Sequence, residues 1–526
     1  MLNRQNIGFK IEDNNKVNHL LYIDDLKLFG KDDCQLKQSL TIVKEFSDDI
    51  KMEFGLDKCA MIALKRGKII KSQNIHLNEQ IVIRNMEMHE TYKYLGVNEN
   101  DDIDNTKMKY NITKEYFRRI RQIFKTELNS KNKIIAINTL AVPVVTYSFG
   151  IVDWLRTDIK KMDRKTRKNL TIGGIHHPKA DVERLYVKRR NGGRGLIELE
   201  SAYDAAIVGL CNYIRLSKDR LIRCVKDHDI NKAKYSLQKE AQKIKNRYLK
   251  QTNEIQNMNV QLKNNIEKDK IEILKNKPLH GQFFRELEKP FVDQQASMQW
   301  LRSSGLKGET ESLIIAAQDQ ALNTRYHQKN ILKQKVDSKC RLCSKAEESI
   351  SHIVAGCTTL ASSEYTHRHN RVASYVHWTM CKNLGIQVSS KYYEHQPMKV
   401  INENNCIIMW DVPIITDRTI QANRPDIVLH NKNEKTCMLI DIAVPNDSNI
   451  MLKETEKISK YKDLEIEISR MWNCKTRTVP IIVGALGVLK KGYDENLKIL
   501  PGHPSANEVQ KIALMGTAHI LRKVLG

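Results

Sequence analysis

The period of the apolar positions changes along this chain, and the changes mark out its elements. From His19 to Gly30 the run His-Leu-Leu-Tyr-Ile-Asp-Asp-Leu-Lys-Leu-Phe-Gly is mostly apolar, which predicts strands flanking Asp24 and Asp25. Leu36, Leu40, Val43, Phe46 and Ile50 then recur at helical spacing, and Phe54 to Leu64 reads as a turn entering a strand. Asp101-Asp-Ile-Asp-Asn105 is a polar break. Beyond it, Tyr116, Ile120, Ile123, Phe124 and Leu128 make one apolar helix face, with Arg118, Arg119, Arg121 and Lys125 largely off it. Residues 218 to about 290 are polar, rich in Lys and Asn and helical in pattern, which predicts long linker helices rather than a packed core. Arg424 to His430 and Cys437 to Val444 read as strands around the polar turn Asn431-Lys-Asn-Glu-Lys435. A helix is predicted from about Ile450 to Trp472, and a last strand from Val479 to Leu489.

Charge narrows the class of partner. Over 526 residues the formal net charge is +25, an excess that calls for a polyanion, so DNA and RNA are the expected partners. Arg118, Arg119 and Arg121 form one basic cluster, and Arg156, Lys160, Lys161, Arg164, Lys165, Arg167 and Lys168 form another. Both lie on predicted helices and are expected to hold phosphates. Asn191-Gly-Gly-Arg-Gly-Leu196 is a backbone-permissive turn that offers Arg194 as a further nucleic-acid contact, but it lacks the Gly-Lys-Ser/Thr ending of a P-loop. The N-terminus has no signal-peptide core, Val479–Leu489 is too short to span a bilayer, and no lipidation motif is present. Eleven cysteines, odd in number and mostly scattered, argue against a disulfide framework. The expectation is an intracellular protein, with the nucleus suiting action on DNA, and with no membrane or small-molecule partner.

Three constellations carry candidate chemistry. The adjacent carboxylates Asp24 and Asp25 repel each other and are costly to bury, a cost that a divalent cation such as Mg²⁺ offsets in a metal-holding hairpin. Cys340, Cys343, His352 and Cys357 stand as C-x2-C-x8-H-x4-C, three thiolates and an imidazole suited to structural Zn²⁺. His367 and His369 follow but exceed the four ligands of a closed site. Asp426 and Asp441 are centred between Asn433 and Glu434, so a hairpin closing there sets them opposite each other, about 5 Å apart. Two carboxylates that close also favour Mg²⁺, and removing one should then raise metal-free stability. Lys453, Lys457 and Lys460 share one face of the following helix. Tyr365, Arg368, His369 and Asn370 open this region as candidate DNA contacts.

Tyr22-Ile-Asp-Asp25 resembles the Tyr-x-Asp-Asp motif of reverse transcriptases. Phe54-Gly-Leu-Asp-Lys-Cys59 and Thr91-Tyr-Lys-Tyr-Leu-Gly96 resemble the palm segments that follow it in LINE-like enzymes, the second of which grips the primer end there. Asn191-Gly-Gly-Arg-Gly-Leu196 resembles a segment of the same retroelements, whose polyproteins also carry a CCHC knuckle before a restriction-like endonuclease. Asp426, Asp441 and the Lys457-x-x-Lys460-Tyr461 run resemble the PD-(D/E)xK variant of those elements, in which a helical lysine replaces the usual one; Ala443 stands at that usual position. The resemblance implies a multidomain α+β chain: a partial reverse-transcriptase palm (1–105), a helical basic thumb (106–217), a helical linker (218–335), a zinc knuckle (336–362) and a PD-(D/E)xK-like α/β nuclease domain (363–526). It implies catalytic roles for Asp24 and Asp25 in the palm, and for Asp426, Asp441, Lys457 and Lys460 in the nuclease. In this family another metal-binding aspartate lies well upstream of the Tyr-x-Asp-Asp motif, so an N-terminally truncated chain without polymerase activity is expected. Glu12 and Asp13 lie too near that motif to substitute and are expected at the start of the same hairpin. The alternative is a non-catalytic nucleic-acid-binding remnant of a retroelement.

Overall fold

The computed structural model describes residues 2, 7–12, 15–231, 236–249 and 258–526. The chain is mixed α/β, with helices predominating. Contacts divide it into two units: residues 1–119, 141–162 and 202–259 form one, and residues 120–140, 163–201 and 260–526 the other. Among the described residues no helix is long and apolar enough to cross a membrane, and none of the cysteines forms a disulfide.

In the first unit, strands His19–Tyr22 and Asp25–Leu28 pair antiparallel around a two-residue turn, Ile23-Asp24. Ile23 takes a left-handed conformation (φ 56°), strained for a β-branched residue. Glu12 does not start this hairpin. It ends a separate strand, Phe9–Glu12, paired with Asn15–Val17, and Asp13 lies outside the described residues. The predicted helix spans Asp33–Asp49, with Asp32 as its N-cap accepting from the Gln35 amide. Leu36 and Leu40 pack on Met61, Ile75 and Ile83, whereas Phe46 and Ile50 remain exposed. A hairpin of Tyr92–Tyr94 and Val97–Glu99 turns through Leu95 and Gly96, both at positive φ. It meets the first hairpin through Lys27, whose Nζ lies 2.6 Å from Glu99 and over the Tyr94 ring.

The second unit is built on one five-stranded sheet. Helix α1 (Thr366–Asn383) precedes strands β1 (Val400–Glu403), β2 (Cys406–Trp410), β3 (Ile427–Asn431) and β4 (Thr436–Ala443), which form an antiparallel meander. Helices α2 (Ile450–Lys460) and α3 (Lys462–Met471) then cross over to β5 (Lys475–Ile482), which pairs parallel with β4 at the sheet edge. Helix α4 (Ala506–Leu525) closes the unit. Alternation along the strands divides two cores. Ile427, Leu429, Ile440, Ile442, Val479 and Ile481 pack with Val372, Val376 and Met380 of α1 and with Ile512 and Ala513 of α4. Val428, Cys437 and Leu439 pack on the other side with Tyr461, Leu464 and Ile468.

Two predicted elements differ. The helix expected over Ile450–Trp472 is two helices, because Tyr461 turns into the core of Val428, Cys437 and Leu439 and donates its hydroxyl to the Arg424 carbonyl, 3.1 Å away. The last strand begins at Lys475 and ends at Ile482, before Gly484 and Gly487 turn the chain. Its Pro480 is tolerated on an edge strand. The expected linker also contributes to a core: Leu274, on the helix Met258–Asn276, packs with Phe283, Phe284, Ile482 and Val488.

Arg194, expected on nucleic acid, is instead buried in this unit (1% exposed). Its guanidinium donates to the Ile175 carbonyl and Ser130 Oγ and lies 3.0 Å from Glu311, which Arg189 also engages at 2.9 Å. The turn is drawn inward because a β-carbon at Gly193 would overlap the Val187 carbonyl, so only glycine allows that approach. Arg194→Ala should therefore cost about 3 kcal/mol in denaturant unfolding, as expected when a buried ion pair is broken, and leave nucleic-acid affinity unchanged.

Candidate functional site

Two constellations of the second unit bring chemistry-bearing side chains together. The first lies between the β3–β4 hairpin and α2. The ladder pairs Ile427 with Ile440, and one further step sets Asp426 against Asp441. By alternation Asp441 shares the face of Leu439 and Cys437, the face covered by α2 and α3. Lys457 reaches it there, with Nζ 2.9 Å and 3.1 Å from the two carboxylate oxygens. Lys460 turns away and donates to the Tyr461 hydroxyl at 2.9 Å, while Lys453 pairs with Glu456.

Asp426 is held from the other side. Its Oδ2 accepts from the Ile442 amide at 2.7 Å, and lies 3.0 Å from Nε2 of His369 in the first turn of α1. That nitrogen is also 3.0 Å from the Ile442 carbonyl oxygen. Burial and the neighbouring Asp426 push the Asp441 carboxyl above the usual carboxylate range. Against the cost of burial, the hydrogen bond from His369 holds Asp426 below that range, and Asp426 in turn lifts His369 to about 9. Each aspartate thus has a cationic partner, so the pair is charge-compensated by protein groups alone. A cavity of about 580 Å³ opens on this group, lined by His369, Asn370, Trp410, Asp426, Lys453 and Lys457.

The second constellation is the cysteine–histidine set. Cys340 and Cys343 flank a tight turn, His352 sits on the helix Ile350–Ala355, and Cys357 follows it. All four donor atoms lie within 4.8 Å of one another. Sγ of Cys340 and Cys357 are 3.9 Å apart, and Sγ of Cys343 is 3.3 Å from Nε2 of His352. Two sulfurs on a tetrahedral zinc lie about 3.8 Å apart, given bonds of about 2.3 Å, so the set can hold that ion. The backbone amide of Lys345 lowers the Cys343 thiol, favouring the thiolate a metal requires. The cluster is not a free-standing knuckle: Cys340, Ile353, Val354 and Cys357 share a core with Ile520, Leu521 and Val524 of α4.

The remaining predicted residues are not assembled into a site. Asp24 and Asp25 are exposed at the tip of their hairpin, so no burial cost demands a cation there. Among the described residues, the only group of three or more His, Cys, Asp or Glu side chains gathered closely enough to hold a metal is the cysteine–histidine set; neither Asp24 and Asp25 nor Asp426 and Asp441 belong to such a group. Arg118 and Arg119 both donate to Glu115, at 2.6 Å and 2.8 Å, and hold its carboxyl down to about 2. Arg121, Lys160, Lys161 and Arg164 are exposed, with Lys160 and Arg164 one turn apart on the helix Arg156–Ile172.

No family model matches this chain, and no curated protein matches it. Sequence spacing missed how His369 acts, since it lies 57 residues before Asp426 and no local period links them. Of its neighbours, Arg368 is buried against Thr517 and the Val444 carbonyl, and the Tyr365 hydroxyl engages the backbone of His352, Ile353 and Cys357. Both fasten the start of α1, and both also line the cavity beside Asp426.

Proposed function

We propose that this chain is a LINE-like, non-LTR retroelement protein whose chemical activity is metal-dependent nicking of DNA at Asp426, Asp441 and Lys457. The finer domain assignment belongs to the same proposal: palm, thumb, linker, zinc knuckle and PD-(D/E)xK-type nuclease, in chain order. The observation that carries it is the pair of aspartates facing each other across a β-ladder, with a helical lysine on one of them. Asp426 and Asp441 would hold Mg²⁺, which supplies charge stabilisation and an acidified water. Lys457 would offset negative charge on the attacked phosphate, and the cavity beside it would receive the strand. The test is incubation of supercoiled plasmid with the zinc-loaded chain in Mg²⁺ or Mn²⁺, against an EDTA control. Cation-dependent conversion to open circles is the expected result.

One observation favours the competing reading, a nucleic-acid-binding remnant: Lys457 and His369 already balance the two aspartates. Plasmid that stays supercoiled with either cation selects that reading.

The exposed basic residues Arg121, Lys160, Lys161 and Arg164 are proposed to bind DNA and RNA through phosphates. Four phosphate contacts predict that binding of a hybrid duplex weakens about 100-fold or more between about 50 and 200 mM salt, with little sequence preference. A flat salt response, measured by fluorescence anisotropy, would point to a different partner. Primer extension on an RNA template by these 526 residues should be absent. Two-metal phosphoryl transfer needs carboxylates from separate strands, and among the described residues nothing joins Asp24 and Asp25 in a metal-holding group. Any templated product contradicts this.

A further inference from the structure

We propose that His369 is a nitrogen ligand to the divalent cation at Asp426, and that it biases this site toward first-row transition dications over Mg²⁺. The inference rests on the reading that this cavity binds a divalent cation. Nε2 of His369 lies 3.0 Å from Asp426 Oδ2 and 3.0 Å from the Ile442 carbonyl oxygen. Two ligand atoms at right angles on a cation, with bonds of about 2.1 Å, stand about 3.0 Å apart. The nitrogen therefore keeps from each oxygen the spacing of neighbouring corners of one coordination octahedron. The imidazole is also oriented as a ligand. Its Nδ1 lies 3.0 Å from Asn370 Oδ1, and an Nδ1–H donated there leaves Nε2 for the cation, which displaces the Nε2 proton to solvent on binding. The ring has little freedom to swing away, because the adjacent Arg368 is anchored to Thr517 at 2.9 Å and to the Val444 carbonyl at 3.1 Å. Asp441, engaged by Lys457, supplies further negative charge beside the cation. An all-oxygen site accepts Mg²⁺ readily, whereas an imidazole ligand favours transition metals.

The probe is Mn²⁺ added to the full zinc-loaded chain, observed by electron spin-echo envelope modulation. Wild type should show ¹⁴N modulation from a directly bound nitrogen. Asp426→Asn should lose the bound ion, and His369→Ala should lose the modulation and bind Mn²⁺ about 10-fold or more weakly. His369→Glu should restore binding with oxygen ligands only and let Mg²⁺ displace Mn²⁺ more easily than in wild type. Asp426-dependent Mn²⁺ without ¹⁴N modulation, or modulation that survives His369→Ala, overturns the role of His369 and leaves the nuclease reading standing. No Asp426-dependent Mn²⁺ at all overturns both.

Discussion

Cys343→Ser should release one equivalent of zinc and unfold far more than its own loop. Small Cys/His sites draw most of their folding energy from the ion, about 10 kcal/mol or more in isolated peptides. Here the cluster is not isolated. Cys340 and Cys357 are buried in the core that receives Ile520, Leu521 and Val524 from α4, and the Arg341 guanidinium donates to the Val524 carbonyl at 3.1 Å. The same helix lies against α1 through Arg368 and Thr517. Loss of the ion should therefore loosen residues 340–365 and helix α4 together, with a stability loss of about 5 kcal/mol or more. Hydrogen exchange with and without a chelator reads this directly. Fast exchange confined to 340–357, with α4 protected, would show that the cluster and the core are uncoupled.

Lys457→Ala should slow nicking about 100-fold, the scale for removing one group that stabilises transition-state charge, while Lys460→Ala should change it only a few-fold. The contrast follows from geometry: Lys457 Nζ contacts both Asp441 oxygens, and Lys460 Nζ contacts the Tyr461 hydroxyl. The same contacts reverse an expectation about stability. Paired aspartates read from spacing alone suggest that removing one relieves repulsion. In the fold Asp441 is 1% exposed and its charge is met by a lysine only 17% exposed. Asp441→Ala leaves that ammonium without its partner, so metal-free stability should fall by about 2 to 3 kcal/mol. Urea unfolding of the chelated protein measures it. Equal rates for the two lysine variants would remove Lys457 from the site.

The facing of Asp426 and Asp441 was legible because antiparallel pairing is arithmetic: a short polar turn between two apolar runs places the centre, and residues equidistant from it pair. The zinc set was legible for a similar reason, since short gaps place ligands through local turns. Arg194 was misread because a glycine-rich turn with an arginine looks the same whether it faces a phosphate or a buried Glu311 far along the chain. The hairpin at Asp24 and Asp25 was legible from its flanking apolar runs, but its exposure was not: the Ile23-Asp24 turn carries both carboxylates to solvent. The break at Tyr461 depends on a tertiary pull into the core beside Val428 and Leu439, which helical periodicity does not contain. His369 could be found only once α1 was laid against the end of β4.

The most direct test of the central claim is single-turnover nicking of supercoiled plasmid by the zinc-loaded full chain, wild type beside Asp441→Asn, with both shown folded by circular dichroism. The account predicts Mg²⁺- or Mn²⁺-dependent open circles from wild type and none above background from Asp441→Asn. Equal nicking by the two proteins, or no nicking by wild type with either cation, would contradict it.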